Sequence, residues 1–222
     1  MVKRTTPANS EPLFNIHEYN CNPPTREIYL HSYYNSEAND EIGVDFRMAT
    51  TFAKNLNLLN HQNSLPILVH MHTIGGYWND GMAIYDNVLF SFAPITILAH
   101  AHASSMSSII LQSADTRVIM PNADFMIHHG SISEEGVTTA VESSIAHNKL
   151  LTKKMLSIYA NKCINGAYFK KHKSITPAKV MVFLNRQIEK YVDWWMTAEE
   201  AVDYGFADGI LGRDYNWEEI RG

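Results

Sequence analysis

Short apolar segments alternate with amphipathic ones over residues 26–130 of this 222-residue chain. The apolar segments have the length and the β-branched content of strands, and we predict strands at 26–32, 66–72, 95–101, 117–121 and 124–128. Apolar residues spaced three or four apart predict helices at 45–59, 80–90 and 105–113. Strands that alternate with helices indicate an α/β domain with crossover connections and mostly parallel pairing.

Both ends of the chain differ from this middle part. Residues 1–24 are polar and carry four of the prolines, so we predict an arm or loop that stays out of the core. Residues 137–160 form a long helical pattern whose apolar stripe is incomplete. A helix with an incomplete stripe is expected to bury only part of its length.

Two further helices are predicted from their capping residues. Thr176 followed by Pro177 is typical of an N-cap and the first helical position. Thr197 with Glu200 three residues later has the spacing of a capping box, and Gly205 is a suitable helix stop. We therefore place one helix after residue 176 and another at 197–204.

Composition narrows the class of protein. Hydrophobic residues make up 45% and charged residues 18%, which predicts one large domain with a packed core. The net charge is −5, and no basic stripe is visible, so we do not expect nucleic-acid binding. No stretch approaches the roughly 20 apolar residues that a membrane span needs.

The predicted location follows from the N-terminus and the cysteines. The basic start of the chain has no apolar run after it, so it is not a secretory signal. Cys21 and Cys163 are far apart and match no metal-ligand spacing. A disulfide between them is possible, but a reduced cytoplasmic protein is the simpler interpretation.

Four features could carry chemistry, although each alone has an ordinary explanation. Gly75-Gly76 follow a predicted strand and could form a tight turn. Ser105 lies among small residues at a strand-to-helix junction, where the helix dipole favours an oxyanion, but serine is also a common N-cap. His128 ends an apolar strand and Asp193 precedes two tryptophans, and either could be a surface residue.

In their order along the chain, these features resemble the proteolytic subunits of the Clp protease, the ClpP family. The resemblance covers about residues 26–212. The matching segments are Gly75-Gly76, 81–86, Ala103-Ser104-Ser105-Met106, Met120-Pro121-Asn122, Met126-Ile127-His128 and 193–205. The segment that begins at Asp193 is the longest of them and the most diagnostic.

The resemblance implies a role for each site residue. Ser105 matches the nucleophile, His128 the general base and Asp193 the residue that orients the histidine, while Gly76 and Met106 match the backbone donors of the oxyanion hole. The chemistry agrees, because a serine hydroxyl needs a base and histidine titrates in the right range. A buried carboxylate would fix the imidazole tautomer and stabilise the imidazolium.

The resemblance also implies a fold and an assembly. The fold would be the Clp/crotonase-type α/β spiral of β-β-α units, with a head at 25–133 and 191–222 and a protruding helical handle at 134–190. Seven subunits would form a ring, two rings would stack as a tetradecamer, and residues 1–24 would include the axial pore loop. A hexameric AAA+ unfoldase would feed unfolded polypeptides into the chamber, and the subunit itself would need no cofactor or metal.

The chain departs from the family pattern at several positions near the site. Thr73-Ile74 stand where a small polar residue and a proline usually precede the two glycines. Ala101 and Ser107 replace glycines, and these changes are expected to narrow the site or shift substrate preference. Val192 replaces an arginine that often pairs across the ring–ring interface. A segment that includes residues 161–175 is longer than usual.

Three alternatives stay open. His70 with His72, and His100 with His102, lie on one face of their strands and could bind a metal, although packed histidines are the default and no zinc motif accompanies them. A catalytically silent ring subunit would keep the fold without turnover. A crotonase-like enzyme acting on acyl-CoA thioesters would share the fold and a similar oxyanion hole without needing the triad.

Overall fold

The computed structural model describes residues 10–31, 34–35, 40–131 and 133–222. Its strands are β1 (Cys21–Asn22), β2 (Glu27–His31), β3 (Tyr34–Asn35), β4 (Asp40–Glu41), β5 (Ile67–Thr73), β6 (Ile95–Ser104), β7 (Thr116–Ile119), β8 (Asp124–Ile127), β9 (Trp194–Met196) and β10 (Gly209–Ile210). Its α-helices are α1 (Ser10–Tyr19), α2 (Phe46–Gln62), α3 (Trp78–Leu89), α4 (Met106–Leu111), α5 (Thr138–Cys163), α6 (Ala167–Lys170), α7 (Pro177–Tyr191), α8 (Ala198–Tyr204) and α9 (Trp217–Arg221).

The predicted strands pair mostly in parallel, as their alternation with helices requires. The main sheet has the order β1-β2-β5-β6-β7-β10, and β8 pairs with β6 beyond the end of β7. Pairing is antiparallel at β1, which runs beside β2, and at β9, which runs beside β8. The predicted α/β class and mainly parallel sheet are therefore confirmed.

The two faces of the sheet differ in how they are covered. Helices α2 to α5, α7 and α8 bury one face in a large core that includes Phe52, Ile84, Phe125 and Tyr159. A much smaller cluster lies on the other face, where Ile220 of α9 packs on Leu68, Leu98, Val118 and Leu211. Further along β5 and β6, histidines follow the leucines of this second face.

The predicted caps are present in the structure. The Thr176 side chain accepts a hydrogen bond from Lys179 N–H, and Pro177 is the first residue of α7. Thr197 and Glu200 form a reciprocal capping box at α8, which ends at Gly205 in the left-handed conformation with φ +85°. These local signals locate both helices independently of tertiary packing.

Helix α5 is anchored at one end only. Its buried residues all lie between Met155 and Cys163, and none lies in the first half of the helix. Helix α7 packs along it and buries Val180, Leu184 and Ile188. The incomplete apolar stripe thus corresponds to a helix whose first half lies outside the core.

The prediction for residues 1–24 of an arm or loop outside the core is wrong for residues 10–19 and 21–22. Residues 10–19 form α1, residues 21–22 form β1 with Cys21 in the core, and residues 1–9 lie outside the described part of the chain. Pro12 falls in the first turn of α1, where backbone N–H groups have no intrahelical acceptor, so it does not break the helix. Asn55 of α2 donates to the Tyr19 carbonyl at 2.6 Å and holds the end of α1 against the domain.

Two simpler predictions can be compared directly with the structure. Cys21 and Cys163 are both buried and both free, so they do not form a disulfide. Among the helices of the described residues, none combines the length and the apolar character needed to cross a bilayer.

Candidate active site

Sheet register brings the three predicted triad residues together. Strand β8 lies between β6 and β9, with Ser104 of β6 opposite Met126 and Trp194 of β9 opposite Ile127. Each candidate lies one residue beyond these pairs: Ser105 follows β6, His128 follows β8, and Asp193 precedes β9. Residues that are far apart in sequence therefore meet at one edge of the sheet.

The three side chains form a continuous hydrogen-bonded relay. Ser105 Oγ lies 2.7 Å from His128 Nε2, and His128 Nδ1 lies 3.1 Å from Asp193 Oδ1. Both distances fall in the hydrogen-bonding range for a nucleophile, a base and an orienting carboxylate. In the tautomer with a proton on Nδ1, His128 donates to Asp193 and its Nε2 can accept the serine proton.

Ser105 is held in a strained backbone conformation at the turn between β6 and α4. Its φ of +53° and ψ of −125° are unusual for a residue with a side chain. Ser105 N–H donates to the Met126 carbonyl of β8 at 3.0 Å, which fixes the turn to the strand that carries His128. Such strain persists only where the surroundings determine it, and it concentrates at functional sites.

Gly75 and Gly76 lie against the Ser105 turn and require glycine for different reasons. Gly75 has φ +102°, and a Cβ there would approach Ser105 Cβ within 2.7 Å and Met106 N within 2.8 Å. Gly76 has φ +153°, and a Cβ there would lie 2.3 Å from the Val44 carbonyl oxygen. The loop can therefore approach the nucleophile as closely as it does only without side chains.

The two predicted oxyanion donors are available beside this turn. Val44 N–H donates to Gly75 O and Tyr77 N–H donates to Val44 O, so this bridge does not use the Gly76 N–H. Met106 is the first residue of α4, and its N–H has no acceptor within the helix. Among the hydrogen bonds of the described residues, neither N–H has a protein acceptor.

Asp193 is more exposed than the sequence led us to expect. Its side chain is 50% exposed in the single chain, against 26% for His128, so the prediction of a buried carboxylate does not hold for one subunit. The residue sits in the short connection between α7 and β9, where little protein lies outside it. Its burial would need a covering surface that the single chain does not provide.

Val192 forms a classic γ-turn directly before Asp193. Its φ of +66° and ψ of −69° match that turn, and Asp193 N–H donates to the Tyr191 carbonyl at 2.9 Å to close it. Val192 N–H still donates to Ile188 O, the last bond of α7. Helix α7 and strand β9 thus leave only two residues in which the chain can turn, and Val192 adopts a conformation that is rare for a β-branched residue.

A groove of about 400 Å³ runs past Ser105 and His128. Tyr77 and Trp78, at the start of α3, contribute to one wall. The middle of α5 contributes the other wall through Asn148, Leu151, Thr152 and Met155. Helix α5 is therefore also part of the groove wall, a placement that its apolar periodicity does not predict.

The histidine pairs on β5 and β6 contact one another. His70 Nδ1 lies 3.0 Å from His100 Nε2, and Tyr29 stacks on the His70 ring at 4.8 Å. The His72 and His102 rings lie 5.1 Å apart. Within the described ranges, no three histidine, cysteine or acidic side chains are arranged to hold a metal ion. The pairing supports the interpretation that these histidines are packed.

Comparison with known proteins identifies the family. The profile of the family described as Clp protease matches residues 39–214, which is most of the chain. The chain belongs to the Clp protease family. It is 30% identical over 171 residues to an ATP-dependent Clp protease proteolytic subunit of Deinococcus radiodurans, which covers 76% of each chain. A subunit of the same name from Leuconostoc citreum is 32% identical over 171 residues and covers 76% of this chain and 78% of that one.

A solved structure has the same fold as this Clp protease family member. The ClpP1 N165D mutant from Listeria monocytogenes superimposes with a TM-score of 0.67 at 18% identity, over 89% of this chain and 96% of that one. The predicted ClpP-type α/β fold is confirmed. Family membership and the Ser-His-Asp geometry together make this chain a Clp-type serine peptidase.

Some residues of the site had no predicted role. Ser107 and Val192 depart from the family pattern, which the sequence shows. The contacts that these two residues make depend on tertiary structure, which the sequence does not show. The α5 residues of the groove could have been found only by knowing that this helix passes the nucleophile. Periodicity indicates which face of a helix is buried and does not indicate what lies across from it.

Proposed function

We propose that this chain is a serine endopeptidase that cleaves unfolded polypeptides through an acyl-enzyme, with Ser105, His128 and Asp193 as its catalytic triad. The observation that carries the proposal is the continuous relay from Ser105 Oγ through the imidazole to the Asp193 carboxylate. A hydroxyl so close to an oriented imidazole has a base available at the moment of attack.

The reaction follows from this arrangement. Ser105 Oγ attacks the peptide carbonyl while His128 Nε2 takes its proton, and the imidazolium then gives that proton to the leaving amine. Water next attacks the acyl-enzyme with His128 again as base, which releases the acid and restores Ser105. Asp193 holds the imidazole in the required tautomer and stabilises its charged form during both steps.

The N–H groups of Gly76 and Met106 are proposed to bind the oxyanion of each tetrahedral intermediate. Both lie beside the Ser105 turn, and the Gly75 backbone approaches that turn closely enough to place the loop over the site. Prepositioned donors of this kind each contribute on the order of 10²–10³ in rate. The neighbouring groove would bind the substrate side chain next to the cleaved bond.

We further propose the assembly that the family suggests. The relatives' names describe the proteolytic subunit of an ATP-dependent protease, which supports a ring oligomer working with a Clp ATPase. A tetradecamer of two heptameric rings, a hexameric AAA+ partner and a cytoplasmic location are the detailed form of this proposal. The projecting half of α5 and the half-exposed Asp193 are both compatible with a second subunit covering this surface. No cofactor or metal is required by the proposed chemistry.

Hydrolysis of fluorogenic peptides by the assembled protein tests the function. We expect activity in the wild type and in Ser104→Ala, whose hydroxyl is buried beside the nucleophile and makes no hydrogen bond among the described residues. Ser105→Ala should be inactive. Hydrolysis of acyl-CoA thioesters without peptide cleavage would favour the crotonase-like alternative, and unchanged peptide turnover in Ser105→Ala rings would contradict the triad.

A further inference from the structure

Ser107 is completely buried, and its hydroxyl connects the two segments that carry the proposed oxyanion donors. Ser107 Oγ accepts a hydrogen bond from Ser104 N–H at 2.8 Å. The same oxygen lies 2.8 Å from the Thr73 carbonyl oxygen and 2.7 Å from the Ser104 carbonyl oxygen, so it can donate to either. One hydroxyl thus contacts the end of β5 and the residue directly before Ser105.

Each of these two strand ends is followed by the loop or turn that presents one of the proposed oxyanion donors. Thr73 is the last residue of β5, and its Oγ1 lies 3.4 Å from Gly75 N–H, at the start of the loop that presents Gly76. Ser104 is the last residue of β6 and precedes the turn that presents Met106 N–H. A shift between Thr73 and Ser104 would therefore change the separation of the two donors.

The sheet itself restrains this junction weakly. Met71 pairs with Ala99 and Thr73 pairs with Ala103, so the register of β5 against β6 shifts between these two pairs. Such irregularities interrupt the ladder and bend the strand locally. A side-chain hydrogen bond placed beyond the irregularity restores a fixed separation of the two strand ends.

From these contacts we infer that Ser107 is a positioning residue for the oxyanion hole, because its hydroxyl holds the Thr73 and Ser104 strand ends at a fixed separation. The inference rests on the proposed function. It also connects two departures from the family pattern, since Thr73-Ile74 lack the usual proline and Ser107 replaces the usual glycine. Proline restrains itself and the residue before it, and here the Ser107 hydroxyl restrains Thr73 from outside the loop.

The test compares Ser107→Ala with Ser113→Ala in the assembled protein. Ser113 is a matched control because its buried hydroxyl donates to the Ile110 carbonyl at 2.7 Å, at the far end of α4. For Ser107→Ala we expect kcat for a fluorogenic peptide to fall about tenfold while KM changes less than twofold, because a displaced donor loses part of the contribution of a complete one. Ser113→Ala should keep both constants near those of the wild type.

A peptide boronic acid provides the readout that a merely structural role would not change. Ser105 Oγ bonds to boron, its proton passes to His128, and the tetrahedral anion places an oxygen in the oxyanion hole. Ser107→Ala should weaken inhibition by the boronic acid about tenfold, in parallel with kcat, and leave the binding of the same peptide without boron unchanged. If Ser107→Ala does not fold, Ser107→Cys retains the side-chain shape with a much weaker hydrogen-bonding group and should give the same pattern.

The outcomes separate this inference from the function on which it rests. A folded Ser107→Ala that keeps wild-type kcat and boronic acid affinity would overturn the inference alone. Equal losses in Ser113→Ala, or equal weakening of the peptide without boron, would also overturn it, because they would indicate a general disturbance of α4. A wild type that neither cleaves peptides nor binds the boronic acid would overturn the function and the inference together.

Discussion

The two ends of the triad are built in different ways. The Ser105 end is enclosed by β6, β8 and the Gly75 loop, and its strained turn is fixed by a hydrogen bond to Met126. The Asp193 end lies in a two-residue connection, where the Asp193 side chain is half exposed and follows a γ-turn at Val192, a residue that is 72% exposed. One end is positioned by the core, and the other is positioned only by the ends of α7 and β9.

One chain encloses the Ser105 end of the triad but leaves the Asp193 carboxylate half exposed. Ser105 is hydrogen-bonded to His128 and to Met126 within the described residues. The carboxylate reaches His128 at 3.1 Å but is half exposed to water, where its electrostatic effect on the imidazole is reduced. Covering the Asp193 surface would strengthen that effect without moving any atom of the triad.

Removing Ser105 or Asp193 should give the largest losses of kcat, and the loss should be greater for Ser105. We expect Ser105→Ala to lower kcat on the order of 10⁶-fold and Asp193→Asn on the order of 10⁴-fold, because the base and oxyanion donors still act when the orienting carboxylate is lost. Single-turnover and steady-state peptide hydrolysis would measure both. Equal losses would show that the exposed end is as important as the enclosed one.

Crowding the Ser105 turn should lower kcat less than the loss of Ser105 or of Asp193. Gly75→Ala places a Cβ within 2.7 Å of Ser105 Cβ at a φ of +102°, so the loop must move away from the nucleophile. We expect kcat to fall on the order of 10²-fold, the effect of losing one oxyanion donor. Gly212→Ala is a suitable control, because it has a positive φ of +85°, no atom within 4 Å of an added Cβ, and no place in the groove.

His70 lies on the face of the sheet opposite the large core, and its protonation should make the stability of the fold depend on pH. Burial, and to a smaller extent the neighbouring His100, lower the pKa of His70 from 6.5 to about 4. The unfolded chain then binds the additional proton between these pH values, so stability falls as pH drops from 6.5 through 4, by roughly 3 kcal/mol. Denaturant unfolding at several pH values should show this slope in the wild type and a smaller one in His70→Phe. An unchanged slope in that variant would contradict the assignment.

Relieving the backbone strain at the exposed end should have the smallest effect. Val192→Gly removes backbone strain, which should stabilise the fold by about 1–3 kcal/mol. Glycine also gives the unfolded chain more conformational freedom, which destabilises the fold by roughly 0.5–1 kcal/mol. The net stability should therefore rise by about 1 kcal/mol. Val182→Gly provides the contrast, because Val182 is also exposed on α7 but helical, and glycine there should lower stability by about 1 kcal/mol. Equal destabilisation by both changes, measured by denaturant unfolding, would show that Val192 is not strained.

The sequence predicts the features of this fold that local residues determine, and it does not predict those that depend on tertiary packing. Strands and capped helices are predictable because periodicity and capping pairs are local properties, as at Thr197 and Glu200. The roles of Ser105, His128 and Asp193 are implied by the resemblance to the ClpP family and by no local pattern. The sequence does not predict α1, because proline usually breaks a helix, whereas Pro12 lies in the first turn of α1 and is tolerated there. The half-exposed Asp193 and the Ser107 contacts depend on how distant segments pack, and no local pattern encodes them.

Mapping the site of covalent labelling tests the central claim most directly. A fluorophosphonate probe, applied to the assembled protein and followed by peptide mass analysis, should modify Ser105 in the wild type and in Ser104→Ala. The same probe should modify no residue in Ser105→Ala. Labelling of a different serine, or equal labelling of Ser105→Ala, would show that the hydroxyl beside His128 is not the activated nucleophile.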